Sequence, residues 1–114
     1  LFVDGLYDYD NLFGVDFSTS KEQRVNTGES AMNHAMLFTG VDIDEDGNAR
    51  RFRVENSWGE EPGEKGFFTM DAAWFDANVF EVAVHVDDLP EDLRAAITEE
   101  PQHLPAWDPM GALA

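Results

Sequence analysis

The chain has no cysteine. That excludes a disulfide framework, which fits a reducing compartment, and it excludes any thiol nucleophile carried by these 114 residues. Basic residues are scarce, with Lys+Arg at 7 against Asp+Glu at 24, for a formal charge of −17. Such a field repels phosphate backbones, and no basic cluster offsets it, which argues against nucleic acid as a partner. Anionic membrane surfaces are repelled for the same reason, and no apolar run approaches the length of a membrane span. Internal repeats and low-complexity blocks are missing too. What remains is an apolar content of 43% with 12% aromatics, enough for the sizeable core of one small domain and unlike a disordered chain. The opening at Leu1, "LFVDGLYDYDNLFGVDF", carries no methionine and suggests a piece of a longer protein; a processed or truncated small protein is the plainer alternative.

Along the chain, residues 1–18 mix aromatics with Asp, Gly and Asn and have no sustained period, as packed irregular structure does. "STSKEQRVNTGES" offers Ser18 or Ser20 as the N-cap of a short polar helix that stops at Gly28. "HAMLFTGVDI" is a nearly continuous apolar run of strand length, expected to be a centrally buried strand. "DEDGN" then supplies an Asp-Gly turn into the alternating strand "RRFRVEN", making a hairpin. "WGEEPGEKG" is a loop, "FFTMD" a short strand, and "DAAWFDANV" a short helix capped by Asp71. "FEVAVHV" alternates strictly, with Phe80, Val82, Val84 and Val86 inward. In "LPEDLRAAITEE" a helix starts near Pro90, with Leu89, Leu93 and Ile97 on one face. Three of the five prolines fall in "PQHLPAWDPMGALA", which reads as an extended tail. The fold class is α+β: a twisted antiparallel sheet or partial barrel with peripheral helices.

One polar residue breaks the pattern. The period of two in "RFRVEN" places Phe52 and Val54 inward and carries Asn56 to the same buried face. A buried carboxamide requires a partner. The hairpin turning near Gly47 brings the His34 strand beside the Asn56 strand, so the two can meet. An Asn oxygen accepting from one ring N–H fixes the tautomer and leaves the other nitrogen free for proton transfer. Trp58, two residues on, can keep water from that bond, and Gly59 permits a tight turn behind it. A satisfied core Asn beside a packing Trp fits the same spacing. His85, on the outward phase of its strand, reads as a solvated residue, and nothing fixes a role for His103. "DIDEDGN" matches the start of a Ca²⁺ loop through Asp42, Asp44, Asp46 and Gly47. Its twelfth position is Arg53 where a Glu is required, however, and a strand follows, so a charged turn is preferred. The dispersed histidines offer no zinc pair.

"NHAM" leading a strand, then "ENSWG" and a Gly-rich loop to "GFF", resembles the His and Asn motifs of papain-like cysteine peptidases. More narrowly, "GESAMNHAMLFTGV", "RFRVENSWGE" and "LPAWDPMGALA" resemble the bleomycin hydrolase and aminopeptidase C branch. The resemblance covers residues 18–114 almost continuously. It implies the C-terminal subdomain of a papain-like fold over residues 1–100, and a tail over 101–114 that lies in the active-site cleft. It also implies a cytoplasmic cysteine aminopeptidase that acts on peptide substrates, needs no cofactor or metal, and assembles as homohexamers. By matching position, His34 is the catalytic imidazole, Asn56 its orienter, and Trp58 the shield, with Gly59 supporting. The carboxylate of Ala114 would anchor the substrate's amino terminus, and Trp107 would pack the tail against the body. The family's cysteine and its oxyanion-hole glutamine lie upstream, in the remainder of the protein; Gln23 and Gln102 are not in the matching motif. The chain alone is therefore expected to be inert. A non-catalytic binding or interaction module that retains the half-fold is the alternative.

Overall fold

The computed structural model describes residues 1–3 and 5–111. Its centre is one antiparallel sheet in the order β1-β2-β3, with β1 Leu37–Ile43, β2 Ala49–Glu55 and β3 Phe67–Asp71. Around it lie helices α1 Tyr9–Phe13, α2 Lys21–Asn26, α3 Ala72–Asn78 and α4 Glu91–Ala96. The α+β class is as expected, but the sheet is open, and no barrel closes among the described residues.

Register follows from the alternation in β2. Phe52 pairs with Met70 and Val54 with Phe68 across β3, while Val41 and Phe38 face the same two residues from β1. Two irregularities bend the β1–β2 ladder; at the first, Thr39 is the extra residue, and its Oγ1 donates to Arg53 O at 3.2 Å. Strand bulges of this kind increase local twist. Helix α3 covers the inner face. Its Phe75 ring meets Phe52 at 4.8 Å and Phe38 at 5.6 Å between centroids, and such pairs add roughly 0.5–1.5 kcal/mol each beyond burial. Val54 and Met70 are fully buried beneath them. Phe2 pads the outer edge of β3, donating from its N–H to Thr69 O and accepting from Asp71 N–H.

Two caps are those the sequence announces. Ser20 opens α2 with a reciprocal box to Gln23, and the Asp71 carboxylate accepts from Ala73 N–H at the start of α3. Helix α3 ends against α2: Arg24 donates to Ala77 O at 2.7 Å, and Lys21 donates to Asp76 O at 3.0 Å and to Val79 O. Cations placed on the last carbonyls of a helix satisfy orphan acceptors and complement its dipole.

Six expectations are corrected. β1 is an edge strand among the described residues, and Leu37, Val41 and Ile43 are all more than half exposed. A continuous apolar run marks both faces as apolar, but only one is covered here. "FEVAVHV" is not a strand: residues 79–85 run irregularly, with Val82, Val84 and Val86 exposed. Alternation defines an apolar face but supplies no ladder, and no described strand pairs with this segment. Helix α4 forms, yet Leu93 and Ile97 face solvent. Residues 1–18 contain a helical turn, α1, capped by Asp8. Trp107, expected to pack against the body, is 82% exposed. Nor is the core sizeable, since Val54 and Met70 are its only fully buried hydrophobic side chains among the described residues.

The hairpin turn makes a pH prediction. Asp44 Oδ1 accepts from Asn48 N–H at 2.8 Å and from Asp46 N–H at 3.0 Å. The carboxylate is thus spent on its own turn. These bonds, the Asn48 backbone N–H foremost, hold the Asp44 carboxyl below its ordinary value. A carboxyl lowered on folding stabilises the fold above its unfolded value, and that contribution is lost as pH falls through the lowered folded value. In an NMR titration Asp44 should therefore titrate below a free aspartate, and the turn amides of Asp46 and Asn48 should shift with it. A midpoint at the free value would remove the turn-stabilising role.

Candidate active site

Asn56 follows the last residue of β2, and its burial obeys the strand's period: it is 6% exposed, on the face of Phe52 and Val54. Its backbone N–H donates to Gly66 O at 3.0 Å, which ties the end of β2 to the start of β3. His34 lies just before β1. Because β1 and β2 are antiparallel, with Leu37 opposite Glu55, the segments leaving the ladder converge. His34 Nε2 lies 2.8 Å from Asn56 Oδ1. The hairpin thus brings together the two residues singled out in the sequence.

The polarity of that contact is fixed by a third group. Ser57 N–H donates to the same Asn56 Oδ1 at 2.8 Å. A backbone N–H can only donate, so the atom it meets is the carboxamide oxygen rather than the NH₂. That oxygen accepts, hence Nε2 carries the proton toward it, and Nδ1 of the neutral ring keeps its lone pair. Asn56 Nδ2 is buried and has no partner among the described residues.

The Trp58 indole stacks against the imidazole, with centroids 5.1 Å apart and planes 29° from parallel. It also meets Phe68 edge-on at 6.3 Å. It shelters one side of the ring and is 59% exposed. Gly59 follows at φ +81°, a left-handed conformation that L side chains rarely adopt. The sequence reasoning missed Gly66. It is buried at φ +85°, and a Cβ there would lie 2.7 Å from Gly59 O. Gly66 therefore lets the loop close tightly enough for its carbonyl to hold Asn56. The signal was present in the glycines that punctuate "WGEEPGEKG".

The other histidines stand apart. His85 is exposed, and its Nδ1 accepts from Asp87 N–H at 3.3 Å; His103 is exposed in the tail. No group of carboxylates and imidazoles among the described residues could hold a metal ion, and no described helix is long and apolar enough to cross a membrane. Ala114 lies outside the described residues.

The hairpin thus presents an oriented imidazole beside a buried carboxamide. The chain belongs to the Peptidase C1-like family, whose model matches residues 2–111. It is 51% identical over 117 residues to aminopeptidase C of Lactobacillus helveticus, covering 100% of this chain and 26% of that protein. It is 49% identical over 112 residues to bleomycin hydrolase of Homo sapiens, covering 96% and 25%. The crystal structure of PepW from Lactobacillus rhamnosis superposes with a TM-score of 0.84 at 46% identity, covering 96% of this chain and 25% of that one. The chain spans about a quarter of the length of these relatives.

Proposed function

We propose that this chain is the His/Asn-bearing C-terminal part of a cysteine aminopeptidase whose thiol lies upstream. The observation that carries the reading is the 2.8 Å contact between His34 Nε2 and Asn56 Oδ1, with its polarity set by Ser57. It leaves Nδ1 as the one ring nitrogen free to exchange a proton with a thiol. In the proposed reaction His34 and the cysteine form an imidazolium–thiolate pair. The thiolate attacks the carbonyl carbon of the substrate's first peptide bond, and the C–N bond breaks as Nδ1–H protonates the leaving amine. Nδ1 then takes a proton from water, whose oxygen attacks the thioester and returns the thiol. Asn56 holds the ring's orientation throughout, and Trp58 limits competition by water for the bond.

Family resemblance extends the proposal to a homohexamer in the cytoplasm acting on peptides. It further proposes that the C-terminal tail enters the cleft, where the Ala114 carboxylate attracts a substrate's protonated amine and blocks longer peptides. The test compares two proteins on an amino-acid amide substrate. The isolated chain, lacking a thiol, should show no turnover even at high concentration. The full-length enzyme should turn over and lose activity on thiol alkylation. Turnover by the repurified isolated chain, or alkylation-resistant activity of the whole, would overturn the assignment. A full-length protein inert in both conditions would point to a binding module.

A further inference from the structure

The face of the sheet turned away from the aromatic core carries an open groove. It is the face of Arg51 and Arg53, set by the same period that turns Phe52 and Val54 inward. Arg53 sits between Gly40 of β1 and Thr69 of β3. With Asp42, Glu64 and Phe67, these residues line a groove of about 380 Å³. Arg51 is committed to Asp42 there, Nε to Oδ2 at 2.8 Å.

Two residues of the groove are unexplained by the chain's own packing. The first is Gly40. Its φ lies outside the left-handed region, and a Cβ built on it would meet Arg53 Cβ at 3.6 Å, an ordinary contact. Neither backbone conformation nor crowding requires glycine here, yet glycine inside a strand loses more entropy on folding and packs nothing. A strand glycine of this kind marks a place where another backbone or a ligand comes close. The second is Arg53. The chain has 24 acidic residues, but the Arg53 guanidinium has no carboxylate partner among the described residues. Its central carbon lies 3.5 Å from the centre of the Phe67 ring, and Glu64 lines the same groove without pairing with it. A guanidinium held on a ring keeps its edge of N–H donors for a carboxylate.

We propose that an acidic segment of the same protein, from outside these 114 residues, crosses this groove with its backbone against Gly40 and an Asp or Glu on Arg53. The proposal rests on the reading above, in which the chain is part of a longer enzyme; the relatives of which it covers 26% and 25% have ample chain to supply the segment. The test reads the melting temperature of the full-length enzyme. Gly40→Ala adds one methyl that the described chain accommodates. On an open face it should leave the melting temperature level or raise it, whereas under a seated segment it should lower it by several degrees. Arg53→Met keeps an apolar stem on Phe67 and removes the charge. It should lower the melting temperature by several degrees, and by as much in a Phe67→Leu background. A level or raised value for Gly40→Ala means an open face and overturns the proposal. If Arg53→Met has no effect in the Phe67→Leu background, the ring is the only partner of Arg53 and the acidic contact is refuted. Should either fall be accompanied by dissociation into smaller species on gel filtration, the occupant is a second copy and not a segment of the same protein. The enzyme reading fails separately, through alkylation-resistant or absent turnover of the unsubstituted protein, which no melting comparison reports.

Discussion

His34→Ala in the full-length enzyme should lower kcat by roughly 10²–10⁴-fold, the range of a lost general acid–base group. The loss should be chemical rather than structural. The residue lies at the surface before β1 begins, and its removal leaves Asn56 Oδ1 still accepting from Ser57 N–H. What disappears is the ring's bond to Asn56 and its stacking on Trp58, neither of which anchors the core of Val54, Met70 and the Phe52–Phe75 contact. Melting temperature and kcat, measured on one preparation, separate the two effects. A small fall in kcat that tracks a fall in melting temperature would make His34 a packing residue and move the proton-transfer role elsewhere.

The His34–Asn56 contact was legible because both residues obey local rules, while its catalytic reading came from the family resemblance and not from spacing. Asn56 announced itself as a polar residue in an apolar phase, and the hairpin turn at Gly47 fixed which segment it would meet. The helix caps at Ser20 and Asp71 were legible for the same reason, since a capping side chain and the N–H groups it satisfies are neighbours in sequence. The errors share one cause. Alternation in "FEVAVHV", the apolar run of β1 and the stripe on α4 each declare a face to be buried, but say nothing of what buries it. Among the described residues, those faces remain open.

The size of the molecule agrees. Its radius of gyration is 17.0 Å, whereas a compact domain of this length has about 13 Å. The apolar content suits a packed domain, yet Val82, Val84, Leu93 and Ile97 are exposed. The His34–Asn56 contact does not need a large core: it depends on the β1–β2 hairpin and the Gly66 loop, which are closed locally by their own hydrogen bonds.

Asn56 separates orientation from mere packing. Asn56→Ala removes one oxygen that serves two donors, His34 Nε2–H and Ser57 N–H, so folding stability should fall by on the order of 1–3 kcal/mol. If that oxygen holds the ring in its reactive orientation, kcat should also fall, by roughly tenfold to a hundredfold when a comparable energy is lost from the transition state. Asn56→Asp is the informative companion. It keeps an acceptor for both donors, and it replaces the buried Nδ2, which has no partner among the described residues. Its kcat should therefore lie above that of the alanine variant, and its amide signal at Ser57 should stay close to the native position. The orienting role is lost if Asn56→Ala keeps native kcat while its stability drops, because the carboxamide would then only fill its place in the core. An aspartate variant as slow as alanine, with the Ser57 signal unmoved, would also count against it, since the acceptor would be present and the ring no better held.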